Sequence, residues 1–253
     1  PKTDDGRVLF LVPWHNRVVV GTTDTLLDSH SLEPKALDEE VDFIILTANK
    51  YLSKVVRKQD VLSIYAGLRP LAATKENLKK TKEISRSHKI IVSDSELITI
   101  TGGKWTTYRR MAEDTINRAI LIGKLPEIAC KTKNLQIHGS KESLNTKSHL
   151  NIYGSDQDNI QKLIKEIPKL GEKLHPRLDY TKSEIIWAIR NEMARTVDDI
   201  LARRVRALFL DARAAIDITP LVAAILAQEL GKDKLWEQKQ IKEFITIANQ
   251  YIL

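Results

Sequence analysis

The sequence predicts an α+β protein: an antiparallel-sheet portion that leads into a long amphipathic helix, followed by a small all-helical domain. Three observations predict this. Short runs rich in Val, Ile and Leu, bounded by turn residues, fill the first hundred positions. The stretch "ITITGGKWTTYRRMAEDTINRAI" (98–120) begins as a strand, passes through two glycines and a lysine, and leaves as a helix. From about residue 155 the apolar residues recur almost wholly at helical spacing.

In order, "GRVLFLVPWHNRVVVGTTDT" (6–25) reads as two strands around a turn at His15-Asn16-Arg17. Asp38, a candidate N-cap, opens a helix that carries Val41, Ile44, Ile45, Ala48, Leu52 and Val55 on one face. "VLSIYAGL" (61–68) reads as a strand, and a Lys-rich loop follows over about 73–82. "ISRSHKIIVS" and "ELITIT" form a hairpin around Asp94-Ser95, and the helix after Gly103 follows. A polar connection after Gly123 marks a boundary between residues 1–123 and 124–253. In the second part Ser155 and Thr181 are candidate N-caps, and Thr181 with Glu184 makes a capping box. The helix from Thr181 puts Ile186, Ile189, Met193, Val197, Ile200 and Leu201 on one face. A helix before Pro220, another from 220 to 230 ending at Gly231, and a last one from about 235 complete the domain. Trp187 and Trp236 are expected to pack between helices.

Composition narrows the function classes. With 253 residues the chain is long enough for one or two domains with a sizeable core. No apolar run approaches the roughly 20 residues a membrane-spanning helix needs. The single cysteine, Cys130, excludes an internal disulfide and fits a reducing compartment such as the cytoplasm. A formal net charge of +7 points to anionic partners without choosing among nucleic acid, lipid headgroups and phosphorylated metabolites. No D-x-[DN]-x-[DN]-G loop or other metal-ligand spacing is present.

The Gly-Gly-Lys turn carries the main chemical signal. The first turn of a helix offers free backbone N–H groups and partial positive charge, and glycines before it allow close approach of an anion. Lys104 adds a full charge, and Thr106 and Thr107 supply hydroxyls for a cap. The spacing of a P-loop is absent. Arg69 in "YAGLRPL" and Arg86 in "SRSHK" precede the turn through the same sheet, so that Arg69, Arg86 and Lys104 are candidates to converge on one anionic ligand.

Five motifs in order, "GRVLFLVPWHNRVVVGTTDT", "YAGLRPL", "SRSHKI", "TGGKWTTYRRMAED" and "NEMARTVDDILARRVRALFLDARAA", resemble FAD-dependent glycerol-3-phosphate dehydrogenase over residues 6 to 231. In that family an N-terminal dinucleotide-binding domain with a G-x-G-x-x-G loop joins a substrate cap of antiparallel sheet and a C-terminal helical domain. This chain has no G-x-G-x-x-G and begins at Pro1 without a methionine, so the resemblance implies the C-terminal part of the enzyme, inactive alone. Residues 1–123 would be part of the cap with the strand and helix that contact the flavin, and 124–253 the helical domain.

The resemblance implies oxidation of sn-glycerol 3-phosphate to dihydroxyacetone phosphate by hydride transfer to FAD, with quinone or oxygen as the final acceptor. Gly102, Gly103, Lys104, Trp105, Thr106 and Thr107 would place donors against the flavin, where a helix N-terminus favours the charge of the reduced ring. Lys104 and Arg86 would hold the substrate phosphate, and Arg69 would act at the reacting carbon as both catalytic and substrate-binding residue. The general base is expected outside this chain, with His15 and His88 the local candidates. Peripheral membrane contact and a homodimer fit the family picture. The alternative is a non-catalytic module whose basic helices bind nucleic acid or an anionic membrane surface. Asp199, Asp211 and Asp217 interrupt that basic face, and no stacking or zinc-finger motif supports nucleic acid, so ion pairing within the helical domain is the preferred reading.

Overall fold

A computed structural model describes residues 3, 8–68, 87–143 and 148–253. The chain divides into two units: residues 1–25, 31–66 and 138–253 form one, and residues 26–30 with 67–137 form the other.

The first unit opens with the expected hairpin, β1 (Phe10–Trp14) paired antiparallel with β2 (Arg17–Gly21). Its turn is tight because His15 and Asn16 both take positive φ, 45° and 60°, the handedness that matches the twist of the strands. Helix α1 (Asp38–Asn49) begins one residue earlier than the acidic cap anticipated. Leu37 is the N-cap, its backbone N–H donates to the Glu40 carboxylate, and Asp38 stands in the first turn. The segment 61–68, expected as a strand, joins no ladder. Its backbone is satisfied by the helices instead: Ile64 donates to the Tyr251 carbonyl, the Leu62 carbonyl accepts from Ala212, and the Ser63 hydroxyl donates to the Leu208 carbonyl.

The core of this unit lies among four helices: α4 (Lys182–Asn191), the short α5 (Ala207–Leu210), α6 (Ala212–Leu230) and α7 (Lys234–Ala248). Ile185, Ile200, Leu201, Leu208, Val222, Leu226 and Phe244 are fully buried there. Pro220 sits inside α6 rather than between two helices. Only its own missing N–H interrupts the ladder, and its exposed position gives the ring room. Gly231 closes α6 in the left-handed conformation (φ 62°), while Lys232 donates back to the Ala227 carbonyl. Asp233 caps α7 by accepting from the Trp236 N–H at 2.8 Å. Trp236 packs against this core, and Trp187 joins Leu150 and Ile160 in a second cluster beside α3 (Gln157–Glu166), which starts after Asp156 rather than Ser155.

The long helix anticipated from Thr181 is interrupted. Helix α4 ends at Asn191, and Met193 takes φ 57° with its side chain exposed. The chain then re-enters helix as a π-helical turn over Asp199–Arg204, in which Val205 donates to the Ile200 carbonyl. Asp199 fixes its start by accepting from the N–H groups of Arg195 and Thr196, both at 3.0 Å. Val197, Ile200 and Leu201 still reach the core, but Met193 does not.

The capping box at Thr181 is the polar centre of the unit. Glu184 has no solvent exposure, and its carboxylate accepts from the Thr181 N–H at 2.7 Å, the Thr181 hydroxyl, His149 Nε2 at 2.9 Å and the Tyr153 hydroxyl at 3.1 Å. Ion pairs cover the outer faces: Arg190 grips Glu229 with two nitrogens, and Arg203 pairs with Asp198 and Asp199.

The second unit holds β3 (His88–Val92) and β4 (Ile98–Gly102), the expected hairpin around Asp94-Ser95, followed by α2 (Tyr108–Ile122).

Replacing the fully buried Leu201 with Ala is expected to destabilise the first unit by about 2–5 kcal/mol, read from urea unfolding. Hydrogen bonding to Glu184 raises the pKa of His149, so its contribution is fully present below the unfolded value of about 6.5 and is lost as pH rises through the folded value. The urea midpoint should therefore fall across that window, and His149→Gln should flatten the fall. A wild-type midpoint independent of pH there would refute the linkage.

Candidate functional site

The Gly-Gly-Lys turn stands where β4 ends and α2 begins, and its geometry follows from its sequence. Gly102 and Gly103 take φ of 74° and 87°, a region that side-chain-bearing residues rarely adopt. At Gly103 space is short as well. A Cβ there would lie 2.5 Å from Met111 Sδ and 3.2 Å from His88 Cβ. The chain then enters α2 through one turn of 3₁₀ helix, Trp105–Thr107. The Thr107 hydroxyl bridges the turn, donating to the Lys104 carbonyl at 2.9 Å and accepting from the Lys104 N–H at 3.4 Å. This is the hydroxyl cap expected of the threonines, supplied by Thr107. As first residues of a helix, Trp105 and Thr106 have N–H groups without an intrahelical acceptor.

Beside the turn lies a depression of about 300 Å³ lined by Ser87, His88, Lys104, Thr107 and Arg110. Lys104 is exposed and has no ion-pair partner among the described residues. Arg110 is engaged by Asp114 at 3.0 Å and Glu113 at 3.5 Å. His88 Nε2 lies 3.1 Å from Asp114, which accounts for this histidine as a paired strand residue. Trp105 stacks on Tyr108 with centroids 5.6 Å apart and is 86% exposed, a large apolar surface presented next to Lys104. The structure thus brings together Gly102, Gly103, Lys104, Trp105, Thr106 and Thr107. Arg69 and Arg86 lie outside the described residues; Arg86 directly precedes Ser87 in the chain.

These residues suit an anionic or electron-accepting group better than a metal. The donors are one ammonium, backbone N–H groups and hydroxyls, and no group of three metal-type side chains occurs among the described residues. Ser87 and Arg110 join the lining without having been singled out by the sequence, beside His88, one of the two histidine candidates. Their only signal was position: the strand pairing sets His88 opposite Gly102. His15, the other histidine candidate, belongs to the first unit, in the turn of the β1–β2 hairpin.

Comparisons with known proteins show the family. Residues 95–240 match the family described as the C-terminal domain of alpha-glycerophosphate oxidase. A probable mitochondrial glycerol-3-phosphate dehydrogenase of Caenorhabditis elegans is 38% identical over 98% of this chain and 37% of its own length. The mitochondrial enzyme SDP6 of Arabidopsis thaliana is 37% identical over 97% of this chain and 44% of its own length. The human mitochondrial glycerol-3-phosphate dehydrogenase is 36% identical over 96% of the chain and 36% of its own length. The chain therefore spans less than half of these relatives. Among solved structures, the glycerol-3-phosphate dehydrogenase of Bacillus halodurans complexed with FAD superposes with a TM-score of 0.78 at 26% identity, covering 99% of this chain and 52% of that one.

Gly103→Ala combines a forbidden φ with a clash, so it should destabilise the turn by about 1–3 kcal/mol. Amide exchange at residues 103–107 is expected to accelerate accordingly, and exchange as slow as in the wild type would show that the turn tolerates a side chain.

Proposed function

The chain belongs to the family of glycerophosphate oxidase and glycerol-3-phosphate dehydrogenase C-terminal regions, and on that premise we propose that it is the C-terminal part of an FAD-dependent enzyme oxidising sn-glycerol 3-phosphate to dihydroxyacetone phosphate. The observation that carries the reading is the coincidence of a match to these dehydrogenases along nearly all of this chain with a glycine-lysine turn at a helix start, exposed to solvent and without an ion-pair partner among the described residues.

Bound FAD supplies the hydride acceptor. Gly102 and Gly103 take the positive φ that the turn requires and, in this reading, present bare backbone toward the ring. Trp105 and Thr106 offer N–H donors toward negative charge, and Lys104 adds a cation that no carboxylate among the described residues quenches. In this reading Lys104 and Arg86 bind the substrate phosphate, and Arg69 polarises the oxygen on the reacting carbon. Positioning by such donors lowers the barrier only if they favour the charge that develops, which is why the lysine must stay unpaired until substrate arrives. The remaining protein supplies the dinucleotide-binding domain and the general base.

Quinone or oxygen takes the electrons in this reading, and membrane contact is peripheral. No helix among the described residues is long and apolar enough to cross a membrane. A homodimer through the helical domain remains part of the proposal. The curated relatives described above are named mitochondrial, so a cytoplasmic location is proposed only for a host without that organelle.

The test is to join the chain to the FAD-binding portion of a relative and follow dye-linked oxidation of glycerol 3-phosphate. Lys104→Ala should lower kcat/KM by about 10–150-fold, the loss of one charged hydrogen bond. Lys104→Arg should recover part of it. Oxidation unaffected by Lys104→Ala would remove the lysine from the site, and no oxidation by the joined wild type would sink the reading.

A further inference from the structure

The first unit contains a second cavity, of about 620 Å³, that the proposed reaction does not use. Arg203, Arg204, Arg206, His15, Tyr153 and Tyr180 line it. Its volume falls in the range of about 300–1,000 Å³ that small-molecule sites occupy. We propose that this cavity binds a phosphomonoester, its phosphate held by Arg206, Arg204 and His15 and its organic part lying against Tyr153, Tyr180 and Ile152.

Charge accounting favours an anion. Arg203 is neutralised by Asp198 and Asp199. Arg204 donates twice to the Glu192 carbonyl, at 2.6 and 3.0 Å, through Nη2 and Nε, leaving Nη1 without an acceptor among the described residues. The Arg206 carbonyl accepts from the N–H groups of Phe209 and Leu210, but its guanidinium has no ion pair or hydrogen bond among the described residues. The one acid in the lining, Glu192, is 3.9 Å from Arg204, and burial holds it toward its neutral form. His15 feels the surplus: burial first, and then Arg206 and His149, lower its pKa. A cavity with one unmatched guanidinium and a destabilised imidazolium is completed by a negative ligand.

Backbone geometry puts these groups there. The π-helical turn over Asp199–Arg204, a rare form concentrated at functional sites, precedes Arg206, which takes φ 55°. A left-handed arginine costs about 1–3 kcal/mol and is retained where the surroundings hold it. The opposite wall is rigid. Tyr153 donates to buried Glu184, and Tyr180 is 5% exposed with His149 edge-on at 6.4 Å. Three donors on separate side chains match a tetrahedral phosphate with three acceptor oxygens more fully than a planar carboxylate with two. The tyrosine rings and Ile152 give the rest of the ligand an apolar bed.

The site is independent of the glycine-lysine turn, so its test separates the two. The 253-residue chain is titrated with phenyl phosphate while the indole N–H of Trp14, whose ring lies 5.2 Å from that of His15, is followed by NMR. Saturable shifts at Trp14, weakened at least tenfold by Arg206→Gln and retained in Lys104→Ala, are the expected result. Vesicles containing phosphatidate provide a second arm: recruitment that Arg206→Gln abolishes would assign the phosphomonoester to a lipid headgroup, and binding of phenyl phosphate alone would assign it to a free metabolite. Arg206→Gln that binds both probes as well as the wild type, with its circular dichroism unchanged, overturns the proposal. So does a wild type that binds neither.

Discussion

A carboxylate shut away from water organises the first unit. Glu184 would be intolerable in its position without partners, because a buried unpaired charge is among the most expensive features a fold can carry. It has four donors, and they come from two stretches of chain: Thr181 at the start of its own helix, and His149 and Tyr153 from the 3₁₀ segment more than thirty residues earlier. The carboxylate therefore does two jobs. It satisfies the N–H of Thr181, the N-cap of α4, and it staples the 3₁₀ segment over His149–Asp156 onto that helix. Take it away and four donors on Thr181, His149 and Tyr153 lose this acceptor at once. The second cluster, around Ile160 and Trp187, packs beside this staple, and one of its donors, Tyr153, lines the 620 Å³ cavity. Packing, polar satisfaction and cavity shape here share one dependency.

How much of this was legible beforehand depends on the range of the interactions involved. Both hairpins, the strand-to-helix passage at Gly103, the capping box at Thr181 and the stop at Gly231 were readable, because each is written in residues within four or five positions of one another. The failures come where a short window does not hold the deciding contact or angle. "VLSIYAGL" has strand composition, yet its hydrogen bonds go to Tyr251, Ala212 and Leu208, partners no short window contains. Pro220 looked like a break, but an exposed proline removes one ladder bond and α6 continues through it. The run from Thr181 to Leu201 keeps apolar spacing across a change of helix type, since periodicity alone does not report the left-handed residue at Met193.

The candidate site divides the same way. The glycines and the lysine were found because their backbone demands are unusual in a chain with ten glycines. The role given to Arg69 and Arg86 came from resemblance, and both stand outside the described residues. The second cavity was not foreseen. Its arginines were read as a charged helix face laced with ion pairs, which is true of Arg203 and of Arg190 but not of Arg206. Arg206 stands in a left-handed backbone conformation, and the residues that complete the cavity come from positions 15, 153 and 180, scattered through the chain.

The crowding at Gly103 reaches beyond stability, into how such a sequence can drift. Two separate barriers guard that position. One is steric and shared with Met111, whose flexible thioether stands where a methyl group would go. The other is the φ of 87°, which belongs to residue 103 alone. A lineage could lift the first barrier by shortening residue 111, but no neighbouring change lifts the second. Position 111 is thus free to wander among slender side chains while position 103 stays glycine, and the two should vary unequally despite being in contact. In any collection of descendants, invariance at the turn beside diversity on the helix would record backbone geometry first and ligand contact only after it.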